Sequence, residues 1–252
     1  MHDDDAMVGR LLTRRELVAL LGMSGAAVIA DPLFGQARIP GAAAAPCVVQ
    51  PEQTEGPYFV DKMLNRADVR ADRGTGTVKP GQPLRLAFTV SQVAAGGNCV
   101  PVPGAQVDIW QCDAGGIYSG VTDRSFNTTG QHFLRGHQLT DARGSANFVT
   151  IYPGWYPGRA VHIHFKVRTT PAAQKGYEFT SQLYFDEALN DRVFSREPYS
   201  SHTGQRRRNE ADGIFRNGGQ QLMLPVVEGA NGYAGAFSVA LAMNQSSGRA
   251  GR

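Results

Sequence analysis

The chain has 252 residues, including 30 glycines and 14 prolines, and its formal net charge is +3 at pH 7. Glycine and proline recur at short intervals and helix-period patterns are nearly absent, so the composition disfavours a helical protein and favours a β domain with many turns. The one basic cluster, residues 206–208, is short and lacks interleaved aromatic residues, which argues against nucleic-acid binding.

Residues 1–45 are predicted to be a signal peptide and linker. Arg14 and Arg15 precede the apolar run 17–30. The run is interrupted by glycine and serine and is shorter than the roughly 20 apolar residues that a membrane span needs. Paired arginines before such a run resemble a twin-arginine export signal, whereas the alternative is an amphipathic helix of a cytosolic protein. We expect a periplasmic or extracellular protein without a stable membrane span.

Three cysteines follow this leader: Cys47, Cys99 and Cys112. An oxidising compartment would permit one disulfide and leave one thiol free. Cys99 and Cys112 bracket one extended segment, 105–111, so pairing them would need a tight return of the chain. Cys47 lies on a separate segment and pairs more easily with either of them.

Residues 46–245 are predicted to form one all-β domain, a β-sandwich with few short helices, and residues 246–252 a disordered tail. Stretches of alternating apolar and polar residues are separated by turn signals, as is typical of strands buried on one face. The turn at 141–144 is predicted to join its neighbouring strands as a hairpin. In chain order, the predicted strands are 84–90, 107–111, 138–140, 146–151, 161–167, 180–185, 221–227 and 236–240.

The strongest chemical signal is His162-Ile-His164, because side chains two apart on a strand point to the same face. Tyr156 lies just upstream in a turn flanked by two Pro-Gly pairs, and Tyr118 follows a Gly-Gly break. Two imidazole nitrogens and phenolate oxygens together suit a ferric ion. Taken alone, however, the two histidines could also be core residues.

The motifs around these residues resemble those of the intradiol ring-cleavage dioxygenases, non-haem Fe(III) enzymes that include catechol and protocatechuate dioxygenases. The resemblance covers roughly residues 47–190 and is greatest to the exported, single-domain branch of the family. The matching pieces, in the family's order, are Thr54-Glu55-Gly56-Pro57-Tyr58, 107–111 running to Tyr118, Thr140-Asp141 with Gly144 and Phe148, 150–157, Arg159 with 162–165, and 181–185.

This resemblance implies a complete active site. It implies Fe(III) as the cofactor, an aromatic diol and O2 as substrates, and a muconic acid derivative as the product; a homodimer is compatible with it. Only five residues separate Tyr156 from His162, fewer than in typical aromatic-degrading members, which implies a more open pocket. The implied residues are the metal ligands Tyr118, Tyr156, His162 and His164, the catalytic residues Arg159 and Tyr156, and the substrate-binding residues Arg159, Gln182, Pro57 and Tyr58.

Two other functions compete with this one. The chain could be an exported β-sandwich that binds aromatics or glycans without catalysis. It could also be a zinc hydrolase in which Asp108 or Asp141 joins the two histidines, although no zinc signature supports that hypothesis.

The remaining polar residues are assigned no chemistry. His132 and His137 are expected at the surface or in a hairpin, and His202 in solvent. Asp212 is expected in a turn that leads into a strand. Asp186 and Glu187 are expected on opposite faces of an extended segment.

Overall fold

The structure, a computed structural model, describes residues 47–169 and 176–243. The predicted signal peptide and the predicted tail lie outside the described residues. Within the described part, two β-sheets enclose one apolar core, which confirms the predicted β-sandwich. The strands are β1 (Pro83–Val93), β2 (Cys99–Pro101), β3 (Gln106–Trp110), β4 (Arg135–Leu139), β5 (Ser145–Ile151), β6 (His162–Arg168), β7 (Glu178–Tyr184), β8 (Val226–Gly229) and β9 (Gly232–Leu241), and the helix is α1 (Glu187–Phe194).

Strand β1 is the centre of the first sheet. Strand β9 pairs with one edge of it in parallel, and β8 extends the sheet beyond β9. On the other edge, β5 pairs with residues 83–89 and β2 with residues 91–93, both antiparallel. The alternation predicted for 84–90 is present, because the inward side chains are the apolar ones. The apolar side chains that β1 buries are Leu84, Leu86, Phe88 and Val90.

The second sheet is antiparallel, in the order β4-β3-β6-β7. Its inward side chains are apolar and join the core, whereas its outward face is polar and aromatic although it is also buried. The strand register places one outward residue of each strand in a single row. That row consists of Arg135, Trp110, His164 and Gln182.

The outward face of the second sheet is covered by the N-terminal arm, which we define as residues 47–72. Phe59 packs on Trp110 with ring centroids 4.8 Å apart, and Asp61 forms an ion pair with Arg168 at 2.6 Å. Backbone hydrogen bonds tie the arm to the strands, including one from the Gln53 N–H to the Thr180 carbonyl at 2.9 Å. This cover is why polar residues on that face are buried.

A disulfide anchors the start of the arm. Cys47 is bonded to Cys99 at the beginning of β2, and Cys112 is free and buried. The sequence predicted that Cys47 is one partner of the disulfide, and it left open whether the second is Cys99 or Cys112. No helix in the described residues is long and apolar enough to cross a membrane.

The predicted hairpin at 141–144 is wrong. Strand β4 pairs with β3 in the second sheet, while β5 pairs with β1 in the first, so the turn carries the chain from one sheet to the other. Gly144 makes this possible, because at φ +76° a Cβ there would lie 2.3 Å from the Val90 carbonyl oxygen. Alternation along a strand is the same for a hairpin and for a sheet-to-sheet connection, so it could not distinguish them.

Two further local predictions are corrected. Asp186 and Glu187 are not extended: Asp186 caps α1 by accepting a hydrogen bond from the Leu189 N–H at 2.9 Å, and Glu187 is the first residue of the helix. Of the predicted strand 221–227, residues 221–222 end the 3₁₀ turn Gly219–Leu222, and only residues 226–227 lie in a strand, β8. Short apolar runs do not by themselves separate strand from helical turn.

Candidate metal centre

His162 and His164 project from β6 onto the covered outward face, as their spacing predicts. Both are buried, with 2% and 1% of their surface exposed. The His164 ring stacks on the Trp110 indole with centroids 4.9 Å apart and planes 6° from parallel. Gly56 of the arm lies against the edge of the same ring, since a Cβ there would be 3.3 Å from His164 Cε1. These contacts fix the orientation of His164.

Three of the predicted ligand atoms converge. His162 Nε2 lies 3.0 Å from His164 Nε2 and 3.4 Å from the Tyr118 hydroxyl oxygen. The Tyr156 ring lies 5.7 Å from the Tyr118 ring and 5.7 Å from the His162 ring, centroid to centroid. The structure therefore brings together all four side chains that the sequence singled out as ligands.

The backbone sets the protonation of His162. Its Nδ1 donates to the Ala160 carbonyl oxygen at 2.6 Å, so in the neutral ring the lone pair is on Nε2, which faces the cluster. Burial, together with the charge of Arg159, lowers the pKa of His162 to about 3. Burial and the neighbouring His162 also lower the pKa of His164 well below its usual value. Both imidazoles are therefore neutral at pH 7, as metal ligands must be.

Tyr118 is held by the loop that follows β3. Its side chain is fully buried, and its carbonyl oxygen accepts a hydrogen bond from the Thr128 hydroxyl at 2.7 Å. Arg135 donates to the Ser119 hydroxyl at 2.9 Å and so fixes the next residue. Burial raises the pKa of the Tyr118 phenol well above its usual value, so without a bound cation it keeps its proton.

Tyr156 begins a tight turn that returns the chain to β6. The Arg159 N–H points back to the Tyr156 carbonyl oxygen at 3.4 Å, and Gly158 has φ +93°. Proline followed by a glycine with positive φ is the signature of a type II turn, and this turn lets the five-residue connection bring both ligand candidates to one site. Burial raises the pKa of Tyr156 to about 12, although the Arg159 guanidinium opposes this.

Arg159 and Gln182 contact each other beside the cluster. Arg159 Nη2 donates to Gln182 Oε1, and Gln182 Nε2 donates to the Thr54 carbonyl oxygen at 2.9 Å. The Tyr184 hydroxyl lies 3.0 Å from Gln182 Oε1. Gln182 is therefore fixed by the arm and in turn orients the guanidinium.

The two predicted substrate-binding residues of the arm differ in placement. The Tyr58 ring stacks on Tyr118 with centroids 4.5 Å apart, and its hydroxyl donates to Asp123 Oδ2 at 2.8 Å. Pro57 is exposed in the preceding turn. Tyr58 thus covers the ligand candidate Tyr118 directly, and the substrate-binding role of both residues stays a prediction.

Sequence reasoning missed Asp212. It is not an inert turn residue: its buried carboxylate forms an ion pair with Arg159 Nε at 2.9 Å and accepts a hydrogen bond from the Ala160 N–H at 2.7 Å. The nearest sequence signal is its glycine-rich turn, and that signal does not identify a partner more than fifty residues away.

Two histidine expectations are corrected. His137 is buried on β4, with 5% of its surface exposed, because the arm covers it. His202 is not free in solvent but stacks on Trp155, with centroids 4.2 Å apart. Neither residue belongs to the ligand cluster.

The two carboxylates considered as zinc ligands, those of Asp108 and Asp141, bind other groups. Asp108 is bonded to Arg168, with a shortest distance of 3.0 Å, and to Gln106 Nε2 at 3.0 Å. Asp141 is in an exposed turn and accepts hydrogen bonds from the Arg143 and Ser145 N–H groups. Within 47–169 and 176–243, no three His, Cys, Asp or Glu side chains are grouped so as to hold a metal ion.

The four ligand candidates fit a metal ion. Two imidazole nitrogens bound at right angles, each about 2.1 Å from one ion, would be about 3.0 Å apart. The separation of the two Nε2 atoms, 3.0 Å, matches this value. Without a metal ion, His164 Nε2–H donates to the lone pair of His162 Nε2, so metal binding requires His164 to carry its proton on Nδ1 instead. His164 Nδ1 has no hydrogen-bond partner in the described residues, so no contact there opposes this change of tautomer. Fold and site together define a β-sandwich with a candidate metal centre of two tyrosines and two histidines.

Comparison with known proteins identifies the family. The Dioxygenase_C family model, described as a dioxygenase, matches residues 54–206. The chain is 30% identical to the intradiol ring-cleavage dioxygenase from Tetranychus urticae, with a TM-score of 0.67, covering 78% of this chain and 95% of that one. The dioxygenase domain of a carbohydrate-binding fusion protein from Streptomyces sp. SirexAA-E is 31% identical, with a TM-score of 0.53, covering 77% and 99% of the two chains.

The chain therefore belongs to the intradiol ring-cleavage dioxygenase family, as its motifs predicted. It is also 32% identical over 150 residues to the protocatechuate 3,4-dioxygenase beta chain of Burkholderia cepacia, covering 50% of this chain and 62% of that one. The chain spans less than two thirds of the length of the curated relatives it matches.

Proposed function

We propose that this protein is a non-haem Fe(III) dioxygenase that cleaves catechol-type rings between the two hydroxyl-bearing carbons, with O2 as co-substrate, to give muconic acid derivatives. The observation that carries the proposal is the convergence of His162 Nε2, His164 Nε2 and the Tyr118 hydroxyl within 3.4 Å. The family relationship supports it, since the relatives compared above are named as dioxygenases.

The ligand set would be Tyr118, Tyr156, His162 and His164. Two anionic phenolates favour iron in its ferric state, because hard anionic oxygen stabilises the more highly charged ion. Bound iron would supply the redox chemistry that lets O2 react with a chelated catechol. The phenols must lose their protons to bind, and their raised pKa values mean that this occurs only against a cation.

The protein's own side chains would handle protons and charge. Tyr156 is more exposed than Tyr118, so its phenol oxygen is the more accessible base for a proton from a substrate hydroxyl. Arg159 carries a positive charge beside it, and the pKa of that guanidinium is raised by Tyr156 and Asp212 in spite of its burial. We assign to Arg159 the electrostatic stabilisation of negative charge that develops on the substrate.

Iron content and colour test this proposal. Tyrosinate-to-Fe(III) charge transfer should make the iron-loaded protein wine-red, and catechol should shift the absorption band under anaerobic conditions. Tyr118→Phe and His164→Ala should remove both colour and iron. Tyr233→Phe is the matched control, because the buried Tyr233 hydroxyl has no hydrogen-bond partner in the described residues. Full iron occupancy in the two ligand variants would show that the assignment is wrong.

The substrate is tested by oxygen uptake over catechol, protocatechuate and hydroxyquinol, with the products identified by mass. One O2 consumed per ring cleaved, with both oxygen atoms in the product, is the expected result. A protein that binds catechols without oxygen uptake when loaded with iron would instead be the non-catalytic binding module.

We also propose that the protein is exported through the twin-arginine route. The disulfide between Cys47 and Cys99 supports an oxidising compartment. In a bacterial host with that pathway, replacing Arg14 and Arg15 by lysine should leave the protein in the cytoplasm. Equal export of the wild type and this variant would contradict the proposal. The homodimer stays a prediction that light scattering can test.

A further inference from the structure

Asp212 lies outside the region that the family model matches, yet it contacts the site. It directly follows the 3₁₀ turn Asn209–Ala211, and only 1% of its side chain is exposed. The matched region ends at residue 206, six residues before this carboxylate. A buried carboxylate is costly unless it is paired and hydrogen-bonded, so its partners show what it holds in place.

The two carboxylate oxygens of Asp212 accept hydrogen bonds from different groups. Oδ2 accepts hydrogen bonds from Arg159 Nε at 2.9 Å and from the Ala160 N–H at 2.7 Å. Oδ1 accepts one from the Ile214 N–H at 2.7 Å, which anchors the carboxylate to its own loop. Together these contacts hold the pKa of the carboxyl below its usual value despite burial, so it is ionised at pH 7.

The contact with Ala160 extends to the metal side of the site. The Ala160 N–H donates to Asp212, while the Ala160 carbonyl oxygen accepts the hydrogen bond from His162 Nδ1 at 2.6 Å. Ala160 is therefore held from both sides, and the residue whose carbonyl sets the tautomer of His162 is fixed by a carboxylate 52 positions further along the chain.

The contact with Arg159 fixes the guanidinium on the substrate side. Asp212 accepts from Nε and Gln182 from Nη2, so two nitrogens of the planar group are held by different elements. A guanidinium held at two of its nitrogens has little freedom to rotate, and its remaining donors face a defined direction. Gln182 alone would leave the inner end of the group unrestrained.

We propose that Asp212 is a positioning residue that fixes Arg159 toward the substrate and, through Ala160, fixes His162 toward the metal. This inference rests on the proposed function. It predicts that substrate binding and ligand orientation are weakened together when the carboxylate is lost.

The test is Asp212→Asn. The asparagine amide has the same shape, but one of its two oxygens is replaced by an NH2 group. In one orientation this NH2 faces the Ile214 N–H, and in the other it faces the Ala160 N–H and Arg159 Nε. In both orientations a donor therefore faces another donor. We expect the affinity for catechol, measured by anaerobic titration of the charge-transfer band, to fall about 10- to 100-fold, taking the range known for residues that orient metal ligands. The band of the substrate-free protein should also shift, because His162 is less well oriented.

Asp108→Asn is the matched control, since it makes the same change in another buried aspartate–arginine pair, that of Asp108 and Arg168. It should reduce the stability without changing the catechol affinity or the band. If Asp212→Asn behaves like this control, Asp212 is merely structural and the inference is overturned. If the wild type itself shows no charge-transfer band, the proposed function fails instead, so the two failures are distinguishable.

A metal-free measurement covers the case in which Asp212→Asn does not fold. In wild-type protein, the Arg159 Nε–H donates to a buried carboxylate, so its NMR signal, assigned by its loss in Arg159→Lys, should be protected from solvent exchange. Exchange as fast as that of exposed arginines such as Arg124 would overturn the inference.

Discussion

The buried histidine pair predicts a specific loss of stability in acid when the protein is metal-free. The pKa of His162 is about 3 in the folded protein, and an unfolded histidine titrates near pH ~6.5. Because the folded value is the lower one, the contribution to stability is complete above pH ~6.5 and is lost as the pH falls toward the folded pKa. At pH 5 this single group costs about 2 kcal/mol relative to pH 8.

His164 adds a second loss of the same sign, since its pKa is also lowered. The assay is urea unfolding of metal-free protein at several pH values between 8 and 5, followed by tryptophan fluorescence. His162→Gln should remove about 2 kcal/mol of the decrease between pH 8 and pH 5. Tyr118→Phe is the control, because it removes a neighbouring hydroxyl and leaves both imidazoles in place.

The reasoning would be refuted by wild-type stability that is flat over this pH range, or by a variant lacking His162 that shows the full wild-type decrease. Either result would mean that the two imidazoles are protonated as easily in the folded protein as in the unfolded chain. A sizeable fraction of each imidazole would then carry a proton near pH ~6.5, against the inference that burial keeps both neutral.

Three further predictions concern the disulfide, two glycines and Tyr58. Replacing both Cys47 and Cys99 by serine should lower the free energy of unfolding by about 2–4 kcal/mol, because the disulfide closes a long loop in the unfolded chain. Chemical denaturation measures this loss, and the wild type under reducing conditions should match the variant. Gly158→Ala should cost about 1–2 kcal/mol, since its φ is +93° but its Cβ would meet nothing within 4 Å. Gly154→Ala should cost more in the same assay, because its Cβ would lie 2.1 Å from the Asp113 carbonyl oxygen, and equal losses would contradict this distinction. Tyr58→Phe should preserve the stacking on Tyr118, so its KM for catechol should stay nearer to wild type than that of Tyr58→Ala.

The sequence by itself determined the features that depend on local chemistry. The alternation in 84–90 and 161–167 predicted strands with one apolar face, and a strand carries His162 and His164 on one side whatever it pairs with. Pro157-Gly158 predicted the turn that returns the chain from Tyr156 to β6, because proline fixes its φ at a negative value suited to a turn and glycine accepts a positive φ. The ordered motifs identified the family.

Only the tertiary structure decided which segments meet. A strand's alternation does not name its partner, so the passage of 141–144 between the two sheets and the burial of His137 under the arm could not be predicted from it. Cys47 had two candidate partners, and only the positions of β2 and the arm selected Cys99. Asp212 is the clearest case: its partners Arg159 and Ala160 are distant in sequence, and a turn residue becomes part of the site only because the folded chain excludes water from its carboxylate.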